Sequence, residues 1–269
     1  MISDLIKKLL NRSFFKWSFF ILFILLYLWL ISPNIYQYSE NFRMVSTFKS
    51  DEGFYGEIID KILTENDYEI KVWGDGETWT HYPHFYFYVS AFIVKVLSIF
   101  TNITEKSIII IMRSLSLFFN LGTIFVMYIY MKKYFGFFAS IFCSSLILIV
   151  PKVLNRYSVM VYPDTMQLLL ITLCLFSISK MYQKYNFEKW FTISCVFAGL
   201  AFSTKWVGLL LMPIVLIFAY LTINENGNFN YRNRIYSFFH DNIIFVIIIS
   251  GLSCLFVIFI PEVYFENLY

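Results

Sequence analysis

Eight apolar stretches take up most of the chain, at 15–32, 84–100, 108–131, 135–151, 164–183, 189–204, 206–223 and 243–261. Each approaches the ~20 residues that carry a helix, at 1.5 Å per residue, across a ~30 Å hydrocarbon core. A soluble domain has no interior for so many. Only 14% of residues are charged, against roughly 25% in soluble proteins. The sequence therefore specifies an all-α, polytopic membrane protein. The first stretch lacks a small-residue cleavage site and reads as a retained anchor. A formal net charge of +3 gives no footing for nucleic acid. Cys143, Cys174, Cys195 and Cys254 lie inside apolar stretches without CxxC spacing. They read as small core residues rather than a disulfide framework or metal site.

Loop charges decide which stretches cross. Lys7, Lys8, Arg12 and Lys16 put the N-terminus in the cytoplasm. The segment 33–83 carries ten acidic residues against four basic ones, which suits the outside. If 84–100 crossed, Lys132, Lys133, Arg232 and Arg234 would all fall outside. If it does not cross, those four become cytoplasmic, together with Lys180, Lys184 and Lys189. The second count obeys the positive-inside rule. Residues 84–106 are thus expected as a helix lying in the outer interface, with His84, Tyr86, Tyr88 and Lys95 interrupting its apolar run. About seven spans remain, residues 33–107 form a first outer loop with interfacial helices, and the C-terminus is outside. The stretch 189–223 is too long for one span and only just fits two, so Lys205 marks an outward-facing break. On this parity Asp51, Glu52, Asp164 and Lys205 share one membrane face.

Each of these residues has two readings. Asp51 and Glu52 follow Ser50 and could simply begin an interfacial helix over Phe54 to Leu63, because acids favour a helix N-terminus. One of them could equally be a general base toward an acceptor hydroxyl or amine. Asp164 follows Tyr162-Pro163, an ordinary helix start, or positions an acceptor, a base or a cation. Lys205 lies between two apolar half-spans, where a cation needs a partner or water. A lipid phosphate or a nearby carboxylate would serve. Arg156 either anchors at the interface or grips phosphate. Arg113 anchors its helix or pairs with an acid of the first loop. His81 and His84, near Asp75 and Glu77, form a polar knot that could ligate a metal but lacks tight ligand spacing. No P-loop, GxGxxG or nucleophile elbow is present. A sugar donor would therefore have to arrive on a lipid.

Five stretches resemble the C-type glycosyltransferases, multi-span enzymes that use polyprenyl- or dolichyl-phosphate sugars. The likeness is to the branch of protein O-mannosyltransferases and lipid A aminoarabinose transferases. Ser50-Asp51-Glu52 is similar to that family's acidic motif in the first outer loop. Tyr82-Pro83-His84-Phe85-Tyr86 resembles its Pro-Pro-Leu-Tyr segment, with His84 in place of the second Pro. Arg113-Ser114-Leu115 through Lys133-Tyr134-Phe135-Gly136 resembles its Arg-Leu-Pro-Ser to Arg-Leu-Phe-Gly span. Tyr162-Pro163-Asp164 and Gly199-Leu200-Ala201-Phe202-Ser203-Thr204-Lys205 resemble its Arg-Pro-Asp and Gly-Leu-Ala-x-x-Thr-Lys elements. The ordered set covers about residues 45–215.

The resemblance implies a single transmembrane module over 1–269, with the family's variable C-terminal part absent. It implies an inverting transfer from a polyprenyl- or dolichyl-phosphate sugar to a protein, lipid or glycan acceptor on the outer or lumenal face. Asp51, Glu52 and Asp164 are then the catalytic candidates. Lys205 and Arg156 bind the donor phosphate, with support from His81, His84 and Arg113. A divalent cation, magnesium or manganese, stays open. The rival readings are a transporter or flippase of lipid-linked sugar, which needs ionisable residues near the bilayer midplane, and a noncatalytic membrane scaffold.

Overall fold

The computed structural model describes residues 13–48, 50–65, 85–100, 102–149, 160–183 and 186–225. Among these the regular secondary structure is all helix, with no strand. The elements are α1 (Ser13–Tyr36), α2 (Phe42–Phe48), α3 (Ser50–Thr64), α4 (Phe85–Leu97), α5 (Glu105–Ile149), α6 (Pro163–Tyr182), α7 (Phe187–Thr204), a 3-10 turn (Trp206–Leu210) and α8 (Leu211–Glu225). Three stretches are long and apolar enough to cross a bilayer: Glu105–Ser144, Pro163–Tyr182 and Trp206–Ile223. The expected last span, 243–261, lies outside the described residues, so the expected total of seven cannot be counted here.

Helix α5 is not one span. Its 40-residue apolar stretch would run about 60 Å at 1.5 Å per residue, twice the hydrocarbon thickness. Gly136 breaks it with φ 78° and ψ −176°, a backbone region that glycine alone enters without strain. Phe137, just past the break, then meets Tyr128 edge to face at 6.2 Å. The two limbs, 105–135 and 137–149, correspond to the two stretches expected from the sequence. Helix α4 is 13 residues long. At ~20 Å it is too short to cross, and it packs Tyr86, Phe87, Ala91 and Val94 inward.

Helix starts follow local chemistry. Asn41 Oδ1 accepts the Met44 N–H at 2.7 Å, and Glu105 Oε2 accepts the Phe42 N–H at 2.8 Å. These satisfy two of the donors a helix N-terminus leaves open. Thr104 and Ser107 cap each other reciprocally ahead of α5. Helix α3 begins at Ser50, earlier than expected, so Asp51 and Glu52 lie within its first turn. Within α1, Pro33 has no N–H for the Trp29 carbonyl, and the Ser32 hydroxyl donates to it instead, at 3.2 Å.

The core runs through α2 to α8, with Val45, Ile59, Val94, Ile109, Met112, Phe191 and Val215 nearly or fully buried. Buried Ser194, Cys195, Ala198 and Ala201 let α7 lie close against α6. Cys174 and Cys195 are buried and Cys143 is partly exposed, each outside any disulfide, in line with the reading as apolar filler. Cys254 lies outside the described residues.

Chain direction gives the bundle two unlike ends. Helices α1 and α7 run from a basic end, and α5 and α6 run toward it. Lys132, Lys133, Lys180 and Lys189 gather there, beside Trp17, Tyr128, Tyr134 and Trp190. Between the ends the spans carry no charge over 114–131, 165–179 and 190–204. The opposite end holds the acidic candidates.

Candidate functional site

At that opposite end Arg113 is the organising side chain. It sits two turns into α5, and both it and Glu52 are fully enclosed. Its Nη2 donates to Glu52 Oε2 at 2.7 Å. Its Nη1 donates to the carbonyls of Gln37 at 2.6 Å, Ile35 at 2.9 Å and Asn34 at 3.3 Å. Those carbonyls belong to the last turn of α1 and the residue beyond it, where a cation offsets the negative end of the helix dipole. A buried charge is tolerated only when paired and hydrogen-bonded, and the pair meets that condition at both Arg113 Nη atoms and both Glu52 oxygens, while Arg113 Nε has no hydrogen-bond partner among the described residues. The expected link between Arg113 and an acid of the first loop is present.

Glu52 has a second partner. Its Oε1 accepts the Val161 N–H at 2.8 Å. Val161 lies just before α6, so one carboxylate ties α3, α5 and the approach to α6 together. Of the expected acid pair, Glu52 thus faces inward and is held on both oxygens. Asp51 precedes it in the same helical turn. Its backbone is in α3, and its side chain lies outside the described set. Beside the pair, Tyr86 is wholly enclosed, with its hydroxyl next to Ser90 and Ser116. Burial, chiefly, pushes its phenol up, and nearby Glu52 acts the same way. Tyr86 therefore stays a neutral group against the buried carboxylate.

Three residues beyond Val161, Asp164 lies in the first turn of α6 after the N-terminal Pro163. Its Oδ1 accepts from Lys205 Nζ at 2.7 Å. Lys205 joins α7 to the 3-10 turn in an extended conformation, φ −161° and ψ 140°. Two contacts hold that break. Gln167, one turn along α6 from Asp164, donates Nε2 to the Lys205 carbonyl at 3.2 Å. Gly208 donates its N–H to the same carbonyl at 2.9 Å. A Cβ on Gly208 would lie 2.3 Å from backbone atoms of Ala201 and Phe202, so only glycine allows the turn to press onto α7. The ion pair is part-exposed, with side-chain exposures of 23% for Lys205 and 44% for Asp164, so ligand can reach it. Asp164 Oδ2 has no hydrogen-bond partner among the described residues.

Aromatic rings join the two charge pairs. The Tyr162 ring lies 5.9 Å from Lys205 Nζ and meets Tyr55 of α3 edge to face at 5.5 Å. Tyr55 in turn lies 5.6 Å from Phe87 of α4. Glu52, Val161, Tyr162, Asp164 and Lys205 therefore form one continuous cluster. The structure brings Glu52, Asp164 and Lys205 to one end of the bundle. Arg156, His81 and His84 lie outside the described residues. Sequence reasoning missed Tyr55, Tyr162 and Gln167. Gln167 had a readable signal, a lone amide three residues after Asp164 and so on the same helical face.

No group of three His, Cys, Asp or Glu side chains that could hold a metal occurs among the described residues. The two described site carboxylates already face cations, Glu52 with Arg113 and Asp164 with Lys205. Magnesium and manganese, hard ions that take several oxygen ligands, would need donors besides these two.

A family model described as dolichyl-phosphate-mannose-protein mannosyltransferase matches residues 86–260, more than half of the chain. Searches of curated proteins and of solved structures each found no match. The chain belongs to the dolichyl-phosphate-mannose-protein mannosyltransferase family. It is accordingly an integral membrane glycosyltransferase of the kind that draws on a dolichyl-phosphate sugar.

Proposed function

We propose that this glycosyltransferase works at the acidic end of its bundle, on the outer or lumenal face, with inversion at the sugar. Asp51 takes the proton of an acceptor hydroxyl or amine. The freed oxygen or nitrogen bonds to the anomeric carbon from the side opposite the lipid phosphate. The bond between that carbon and the phosphate oxygen breaks, and the polyprenyl or dolichyl phosphate leaves with the electron pair. Lys205 offsets the charge that develops on it, the kind of term that is often the largest in such a step. Asp164 orients the Lys205 ammonium.

Glu52 takes a different part from its neighbour. Held by Arg113 and the Val161 N–H, it acts as a positioning residue that sets the start of α3 against the start of α6. Asp51 is then the acid of the pair left to act as base. The observation that carries this reading is the single carboxylate bridge from α3 to Val161. It brings the acidic motif within three residues of the Asp164–Lys205 pair. Charge-free midspans weigh against the transporter reading, which needs ionisable groups there.

The test is transfer from a polyprenyl-phosphate sugar by the purified chain in lipid. Asp51→Asn keeps the size and helix-start geometry but cannot take a proton. It should lose at least two orders of magnitude of turnover, the usual scale of general-base catalysis, with donor binding unchanged. Full turnover in Asp51→Asn would remove the base from the proposal. A folded, donor-binding wild type with no transfer to any acceptor would favour the scaffold reading.

A further inference from the structure

The basic end of the bundle carries a second site, unrelated to the chemistry at the acidic end. A groove of about 560 Å³ opens sideways between the inner part of α5, α6 and α8, with Tyr130, Thr172, Phe176 and Phe218 among its walls. Helices α5, α6 and α8 hold the three stretches long and apolar enough to cross a bilayer, so the groove lies among membrane-crossing helices. The walls are mostly apolar, and the polar groups collect at one edge. There Gln183 donates Nε2 to Tyr134 Oη at 2.6 Å and to Ser179 Oγ at 3.1 Å. Lys133 donates to the Gln183 amide oxygen. Lys180 lies over the Phe176 ring at 5.3 Å, and Lys132 lies over Trp17 at 5.3 Å.

We propose that this groove binds an anionic phospholipid of the leaflet at the basic end. One acyl chain lies between α5, α6 and α8, and the phosphate sits at the Lys133–Gln183–Lys180 edge. The argument is charge complementarity joined to shape. Two lysines, Lys133 of α5 and Lys180 of α6, flank one edge through Gln183 and Phe176 of the wall, and basic pockets between spans are suited to anionic headgroups. The groove volume falls in the range of small-molecule sites. An apolar slot with a cationic mouth matches a lipid tail with an anionic head, whereas a free anion would leave the slot unfilled. The site lies at the far ends of α5 and α6 from Arg113 and Asp164, so it can hold when the catalytic proposal fails, and the reverse.

The experiment is native mass spectrometry of the purified full chain. It is titrated with phosphatidylglycerol and with phosphatidylcholine of the same acyl composition, and with inorganic phosphate as competitor. Wild type should retain one phosphatidylglycerol about tenfold more tightly than phosphatidylcholine, and phosphate should not displace it. Lys133→Gln with Lys180→Gln should bring phosphatidylglycerol down to the phosphatidylcholine level. Thr172→Trp, which fills the groove without touching the lysines, should weaken both lipids. Equal retention of the two lipids by wild type overturns the proposal. So does displacement by phosphate, or indifference to both sets of substitutions. A disulfide formed between Tyr130→Cys and a cysteine introduced within 243–261 also overturns it, because the chain itself would then fill the slot.

Discussion

Replacing Arg113 by Met removes the guanidinium and keeps most of the apolar stem. Glu52 is then a carboxylate with no exposed surface that has lost its guanidinium partner, with the Val161 N–H still on Oε1. Breaking a buried pair from one side costs roughly 3–5 kcal/mol. The carbonyls of Asn34, Ile35 and Gln37 also lose their donor. They belong to a part-buried helix end that water can reach, so they add about 1 kcal/mol, the low end for unmade bonds. The total, roughly 4–6 kcal/mol, rivals the whole stability of a marginal domain. Glu52→Gln should cost less, about 2–3 kcal/mol. Its amide oxygen still accepts from Val161, and Arg113 keeps three carbonyls. The double variant should cost less than the sum of the single ones by about 1–3 kcal/mol, the usual coupling of contacting residues. Unfolding by sodium dodecyl sulfate in mixed micelles, followed by tryptophan fluorescence, measures all three. An Arg113→Met loss below about 1 kcal/mol, or strict additivity in the cycle, would refute a buried pair that holds α1, α3 and α6 together.

Lys205→Met should weaken donor lipid binding at least tenfold while Lys205→Arg retains part of it, since charge-assisted bonds to phosphate are among the stronger ones. Equal donor titrations for Met and wild type would leave Lys205 as a partner for Asp164 alone. Gly208→Ala should lower thermal stability, and donor binding with it. The atoms that its methyl group meets are backbone of α7 and cannot swing aside, so an unchanged melting curve would count against the close approach. Asp60, in the short amphipathic α3, has its carboxyl pushed above 3.8 by burial first, then by Glu105 and Glu65. The folded state therefore holds that proton more tightly than the unfolded state. Stability from this group is full below pH 3.8 and falls as pH rises through the raised value. Asp60→Asn should stabilise the protein at about pH 7 and make no difference at about pH 3, and melts at the two values check it.

The sequence by itself determined the class of solvent this chain folds in, because hydrophobic runs of near-bilayer length have few other uses. It separated the two apolar stretches of α5, 108–131 and 135–151, since no span can be 40 residues long, and the structure puts the break at Gly136, where φ turns positive. It offered Arg113 a partner among the acids of the first loop, and motif order pointed to the family that the match over 86–260 then showed. Periodicity and charge counting reach that far because they depend on neighbours along the chain. Which acid Arg113 would choose was not legible. Asp51 and Glu52 are adjacent, and about 100° of helical turn decides which of them meets α5. Only the packing of α3 against α5 turned Glu52 inward to a guanidinium 61 residues away. The same holds for Asp164 and Lys205. Each alone reads as an ordinary helix start or an awkward cation, and antiparallel α6 and α7 bring them to 2.7 Å. The Val161 N–H carries no side-chain signature, so its bond to Glu52, which joins the two pairs, exists only in three dimensions.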